Sequence, residues 1–152
     1  LNNKKINKKD FKNFHPSGNL GAQLKTVEDV MLIKEKIPFI NEDANMKDAL
    51  KIISLKKLGT LIVTNKKGKT SGIITDGQIR RVSQRHSDLH KLRVKTVMTK
   101  NPIKVNKEIL ASKALSIMND NKITSLCVNS ISNKNKTIGI VHIHNILQND
   151  MS

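Results

Sequence analysis

The residues of this 152-residue chain whose types and spacing bear on chemistry are few: five histidines, one cysteine, four arginines and a handful of hydroxyl and amide side chains. His142 and His144, two residues apart, face one way from an extended strand and make half of a metal site. No carboxylate or thiolate cluster accompanies them, so no metal and no other cofactor is expected. His86 and His90 flank Asp88 at helical spacing and read as a solvated surface. The single cysteine, Cys127, excludes an intramolecular disulfide and a cysteine-based zinc cluster, and this fits a reducing cytoplasm. His15, before a proline, carries an imidazole able to exchange protons near neutral pH. It reads here as an exposed tail histidine, and these 152 residues alone are not expected to catalyse a reaction.

Charge is the loudest compositional feature, with 28 basic against 12 acidic residues and a formal net charge of +16. Lysines that neutralise phosphates release counterions, which is the argument for nucleic acid. Against it, only four of the basic residues are arginines, Trp and Tyr are absent, and three Phe offer little surface for base stacking. The excess is also spread along the chain: net +5 over residues 1–25, +4 over 26–84 and +7 over 85–152. Abundant Lys, Asn and Ile read as codon background, and a nucleic-acid binder is retained only as a remote alternative. No apolar run reaches the roughly 20 residues a bilayer span needs, and the lysine-rich start lacks the apolar middle of a signal peptide. A cytoplasmic protein without a membrane partner is predicted, and a chain starting at Leu1 rather than Met reads as a piece of a longer one.

The elements that position these residues emerge from an internal repeat. Val27-Glu28-Asp29-Val30-Met31 recurs as Val94-Lys95-Thr96-Val97-Met98, and Pro38-Phe39-Ile40 recurs as Pro102-Ile103-Lys104-Val105. Ala49-Leu50 with Ile53 matches Ala114-Leu115 with Met118; LGTLIV at 58–63 matches ITSLCV at 123–128; Gly72-Ile73-Ile74 matches Gly139-Ile140-Val141. Cys127 falls on Ile62 in this alignment and so reads as a small core residue rather than a nucleophile. Met46, Ala49, Leu50 and Ile53 share one face of a helix, with Asn45 as N-cap and Gly59 past its end. Two short β-branched runs follow around a Lys66-Lys67-Gly68-Lys69 turn, then a helix over 76–84. The second copy predicts a helix over 107–121, strands at 125–130 and 137–142, and a closing helix from His144. The order in each copy is strand, helix, strand, strand, helix, an α+β arrangement. Copies of about 58 residues are too small to bury their apolar faces alone, so the two are expected to pack together.

This order, the Val-x-x-Val-Met leads, the Pro-apolar strands and the Gly72-Ile73-Ile74-Thr75-Asp76-Gly77 turn resemble a tandem pair of CBS domains (cystathionine β-synthase repeats). The resemblance covers about residues 26–150 and implies a pseudo-two-fold module with clefts between the repeats. Phe14-His15-Pro16-Ser17-Gly18-Asn19-Leu20-Gly21 is similar to the segment joining the sugar isomerase domain to the CBS pair in D-arabinose 5-phosphate isomerases. Lys122-Ile123-Thr124-Ser125-Leu126, His142-Ile143-His144-Asn145-Ile146-Leu147 and Thr75-Asp76-Gly77 followed by Arg80-Arg81 resemble that family too. The implied organisation is a linker from an isomerase domain at 1–25, CBS repeat 1 at 26–84, an inter-repeat linker at 85–92 and CBS repeat 2 at 93–150.

The resemblance implies a regulatory module attached to a sugar isomerase domain, homodimeric or of higher homo-oligomeric order. It implies that His15 reaches the sugar-phosphate site of that domain. It also implies that Thr75 holds a ribose hydroxyl, whereas Gln78 stands where the family commonly has Asp, and His142 and Asn145 stand at the corresponding positions of the second copy. An amide lacks the charge-assisted strength of a carboxylate, so adenosine nucleotides are less favoured than for the average member. Arg80, Arg81, His142, His144, Thr124 and Ser125, with Asp76, are then expected to converge between the repeats on an anionic, polyhydroxylated ligand. A nucleotide or a CMP-linked sugar acid of lipopolysaccharide synthesis has that chemistry. A purely structural dimerisation module without a ligand is the alternative.

Overall fold

The structure is a computed structural model and describes residues 24–151 of the chain. Each repeat builds a sheet with one helix crossing between parallel strands and another following the last strand. In the first, β1 (Phe39–Asn41) leads into α2 (Met46–Lys56), β2 (Thr60–Thr64), β3 (Thr70–Thr75) and α3 (Asp76–Arg85), after a short lead helix α1 (Val27–Val30). The second lead helix, α4 (Val94–Val97), is followed by β4 (Thr99–Lys100), β5 (Lys104–Asn106), α5 (Ala111–Asn121), β6 (Ser125–Asn129), β7 (Gly139–His142) and α6 (Ile143–Met151). The sheets run β1-β2-β3-β4 and β5-β6-β7. β1 pairs parallel to β2 and β5 to β6, while β2–β3 and β6–β7 are antiparallel. The strand, helix, strand, strand, helix order read from the sequence is the order of each repeat.

The helices form where the sequence places apolar residues three and four apart. Met46, Ala49 and Ile53 are the buried stripe of α2, and Ala111, Ala114 and Met118 that of α5. Asn45 caps α2 by accepting a hydrogen bond from the Asp48 amide at 3.1 Å. Both helices end in a left-handed residue, Lys57 (φ 60°) and Lys122 (φ 56°), rather than in a glycine. The same turn is thus made twice at equivalent places. The second-copy helix begins at Ala111, four residues later than its periodicity suggests. Asn106 explains the delay: its side chain accepts from the Glu108 amide at 2.9 Å and folds residues 106–109 into a turn.

That turn serves the other repeat. The carbonyls of Ile109 and Lys107 accept from the Val27 and Glu28 amides at 2.8 and 2.9 Å, and those of Ala44 and Glu42 accept from the Val94 and Lys95 amides at 2.8 and 3.0 Å. Each lead helix is held by the opposite repeat. Val27 and Val30 complete the core of Val105, Met118, Leu126 and Val141, whereas Val94 and Val97 complete that of Met46, Leu61, Val63 and Ile74. A third cluster, Ile37, Ile62, Cys127 and Ile140, fills the space between the sheets. Burial on both sides explains why β2 and β6 read as unbroken apolar runs.

Candidate ligand-binding cleft

The two repeats face each other across a cleft of about 880 Å³. Its walls are the same segments used twice. Residues 57–60 and 122–125, which lead from α2 into β2 and from α5 into β6, both line it, as do 75–77 and 142–144, where β3 and β7 turn into α3 and α6. Residues 99 and 101–103 close one side, and Ile62, Ile73, Cys127 and Ile140 form an apolar floor. The Asp76 amide donates to the Gly59 carbonyl at 3.0 Å and the Ile143 amide to the Thr124 carbonyl at 2.8 Å, so equivalent backbone bonds fix both walls. Segments of both repeats thus line this cleft.

At the first helix start, Thr75 and Gln78 form a reciprocal cap. Thr75 Oγ1 accepts from the Gln78 amide at 3.3 Å and Gln78 Oε1 accepts from the Thr75 amide at 2.9 Å. The Gln78 Nε2 group donates to the Val97 carbonyl at 3.4 Å and to Thr99 Oγ1. Gln78 therefore ties α3 to the α4–β4 segment and has its amide occupied within the fold. At the second helix start Asn145 Oδ1 accepts from the His142 amide at 2.9 Å, but His142 has no hydroxyl to return. Its Nδ1 instead accepts from the His144 amide at 3.1 Å, and the two rings stack with centroids 4.8 Å apart. An accepting Nδ1 places the proton of the neutral ring on Nε2. Burial, and next the neighbouring His144, hold the His142 pKa below its ordinary value of 6.5.

Of the residues singled out in the sequence, Thr75, Asp76, Gln78, Arg81, Thr124, Ser125, His142 and His144 line this one cleft. Arg80 does not; it is exposed on α3, with its carbonyl accepting from Ser83 Oγ at 2.9 Å. Asn145 stands behind the wall as the partner of the His142 amide. His15, with the stretch around it, lies outside the described residues. Lys57, Lys122, Thr99 and Asn101 line the cleft as well and were missed. The repeat alignment held the signal for the lysines, since each directly precedes the matched LGTLIV and ITSLCV blocks.

The lining groups are electrostatically lopsided. Lys57, Lys122 and Arg81 face a single carboxylate, Asp76, and none of the four takes part in a salt bridge among the described residues. Asp76 sits against Gly59, with Oδ2 3.0 Å from the position a glycine Cβ would take, and Arg81 Nη1 lies 3.4 Å from the corresponding point on Gly77. The cleft thus offers unneutralised positive charge, hydroxyls and a stacked imidazole pair over an apolar floor, a set suited to an organic anion bearing hydroxyls. Cys127 in that floor has its thiol pKa pushed up to about 12 by burial, which keeps it protonated and unreactive. Among the described residues no three His, Cys, Asp or Glu side chains are grouped to hold a metal, and no helix is long and apolar enough to cross a membrane.

Comparison with known proteins places this arrangement. An uncharacterized protein of Rickettsia prowazekii is 38% identical over 143 residues, covering 94% of this chain and 43% of its own length. The arabinose 5-phosphate isomerases of Salmonella typhimurium and Pseudomonas aeruginosa are 37% and 38% identical over 140 residues, covering 91% of this chain and 42% of theirs. The chain spans less than half the length of these relatives. Among solved structures, CBSX2 in complex with AMP superposes with a TM-score of 0.71 at 21% identity, covering 84% of this chain and 96% of that one. The CBS domain of a bacterial CNNM/CorC family Mg2+ transporter in complex with ATP superposes with a TM-score of 0.73 at 15% identity, covering 90% and 94%. The family model for the CBS domain matches twice, over residues 27–85 and 94–152, and the chain belongs to the CBS domain family as a tandem pair.

Proposed function

We propose that this chain is the regulatory, ligand-sensing CBS pair of a cytoplasmic sugar-phosphate isomerase that interconverts D-ribulose 5-phosphate and D-arabinose 5-phosphate. Its cleft takes a nucleotide or a CMP-linked sugar acid from the lipopolysaccharide pathway that such an isomerase feeds. The observation that carries the reading is the cleft itself, about 880 Å³, walled by both repeats and carrying Lys57, Lys122 and Arg81 against one carboxylate. The isomerase assignment is supported by 35–38% identity to arabinose 5-phosphate isomerases over 91% of the chain. Fold neighbours solved with AMP and ATP support the nucleotide chemistry. A ligand touching both walls is held best when the repeats stand in one relative arrangement, and that preference is what an attached domain can sense. On this reading His15 serves the isomerase domain and the cleft serves its control.

Thermal melting with AMP, ATP, CMP and a CMP-linked sugar acid tests the proposal. A ligand present at 100 times its Kd stabilises the fold by about 2.7 kcal/mol, which raises Tm by a few degrees for a chain of this size. The expected outcome is a shift with at least the CMP-linked sugar acid, lost on Arg81→Ala. No shift with any of the four at millimolar concentration overturns the reading and leaves the pair as a structural dimerisation module.

A further inference from the structure

Beside the cleft lies a smaller cavity of about 180 Å³, lined by Gln78, Arg81, Val82, Arg85 and Val97. Gln78 and Arg81 line both spaces, so the two share a wall at the start of α3. Whole small-molecule sites measure roughly 300–1,000 Å³. The cleft falls in that range and the side cavity below it, the size of a place for one chemical group rather than a ligand of its own. Arg81 and Arg85 are four residues apart and therefore neighbours on one face of α3. Both are exposed, neither forms a salt bridge among the described residues, and no carboxylate lines the side cavity.

The choice of side chain carries weight here. In a chain with 24 lysines, all four arginines fall within residues 80–93. A guanidinium presents a planar fork of donors that engages a phosphate or carboxylate through two parallel hydrogen bonds, whereas an ammonium acts as a point charge. Arg81 folds back over Gly77 toward the cleft, and Arg85 stands one helical turn farther along α3. Val82 and Val97 supply an apolar back to the cavity.

We propose that the side cavity is an anion subsite, in which a ligand seated in the cleft places a second phosphate or carboxylate between Arg81 and Arg85. The site then selects ligands with more than one anionic group over those with a single phosphate. This rests on the cleft binding a nucleotide-type ligand. Calorimetric titration of the wild type and Arg85→Ala with AMP, CMP, ATP and a CMP-linked sugar acid tests it. Arg85→Ala is expected to weaken ATP or the CMP-linked sugar acid by roughly tenfold or more, to leave AMP and CMP unchanged, and to be partly rescued by Arg85→Lys. Whichever of the two larger ligands responds identifies the second anion as phosphate or carboxylate. Binding of ATP and the sugar acid unaffected by Arg85→Ala, or an equal loss for all four ligands, overturns the subsite while leaving the cleft reading standing. If none of the four binds the wild type, both fall.

Discussion

His142 stands in the second repeat where Thr75 stands in the first, and the two residues solve one problem differently. Thr75 caps α3 with a hydroxyl and is indifferent to pH, whereas His142 caps α6 with a ring nitrogen that must stay unprotonated to accept the His144 amide. Its folded pKa is lowered, by burial first and His144 second. A lowered folded pKa means that the unfolded chain takes up the proton more readily. The His142 contribution to stability is therefore complete above its ordinary value of 6.5 and is lost as the pH falls through the folded value. His142→Thr, which copies the first repeat, is expected to lose less stability than the wild type between pH 8 and pH 5 in urea unfolding; an identical loss contradicts the capping role. Residues of this kind were legible by position but not by duty. Matched turns brought Gln78 and Asn145 to notice as ligand groups, and the fold employs both first as caps, because a helix start leaves amides that something nearby must satisfy.

A Cβ on Gly72 would stand 2.5 Å from the Thr99 carbonyl oxygen, and one on Gly139 would stand 2.4 Å from Met31 Sδ and 3.1 Å from the Leu32 carbonyl oxygen. Each glycine lets the lead segment of the other repeat lie directly on its sheet: β4 pairs with β3 at Gly72, and Leu32 bridges to Ile140 beside Gly139. Overpacking of this kind costs about 1–3 kcal/mol. Gly72→Ala is expected at the upper end and Gly139→Ala lower, because a strand carbonyl cannot move aside as a methionine side chain can. Denaturant unfolding measures the difference, and an equal or reversed order contradicts the account. The repeat, its helices and its strands could all be read from the sequence, because periodicity and spacing are local. The exchange of leads could not, since Val27-x-x-Val30 and Val94-x-x-Val97 are equally apolar and nothing in four residues says which core they enter. The left-handed ends at Lys57 and Lys122 were hidden for a related reason: lysine has no preference for that conformation, so the turn is imposed by the packing on either side.

For the molecule as a whole, equivalent threonines of the two repeats meet, Thr70 Oγ1 and Thr137 Oγ1 lying 2.6 Å apart and 67 residues apart in sequence, and both repeats line the cleft. Its two halves are unequal. Thr75, Asp76, Gln78 and Arg81 come from the first repeat and His142, Ile143 and His144 from the second, so the two repeats bring different chemistry to the cleft. The net charge of +16 adds no ligand specificity, yet it raises the local concentration of anions and makes their capture sensitive to salt. The proposed role of the cations of this cleft is to hold an organic anion. Calorimetric titration with a CMP-linked sugar acid, for the wild type and for Arg81→Ala, tests it most directly. Saturable binding is expected, weakened by roughly tenfold or more in Arg81→Ala through the loss of a charge-assisted bidentate contact. Binding equally tight in both proteins would contradict it, as would no measurable heat in the wild type at millimolar ligand.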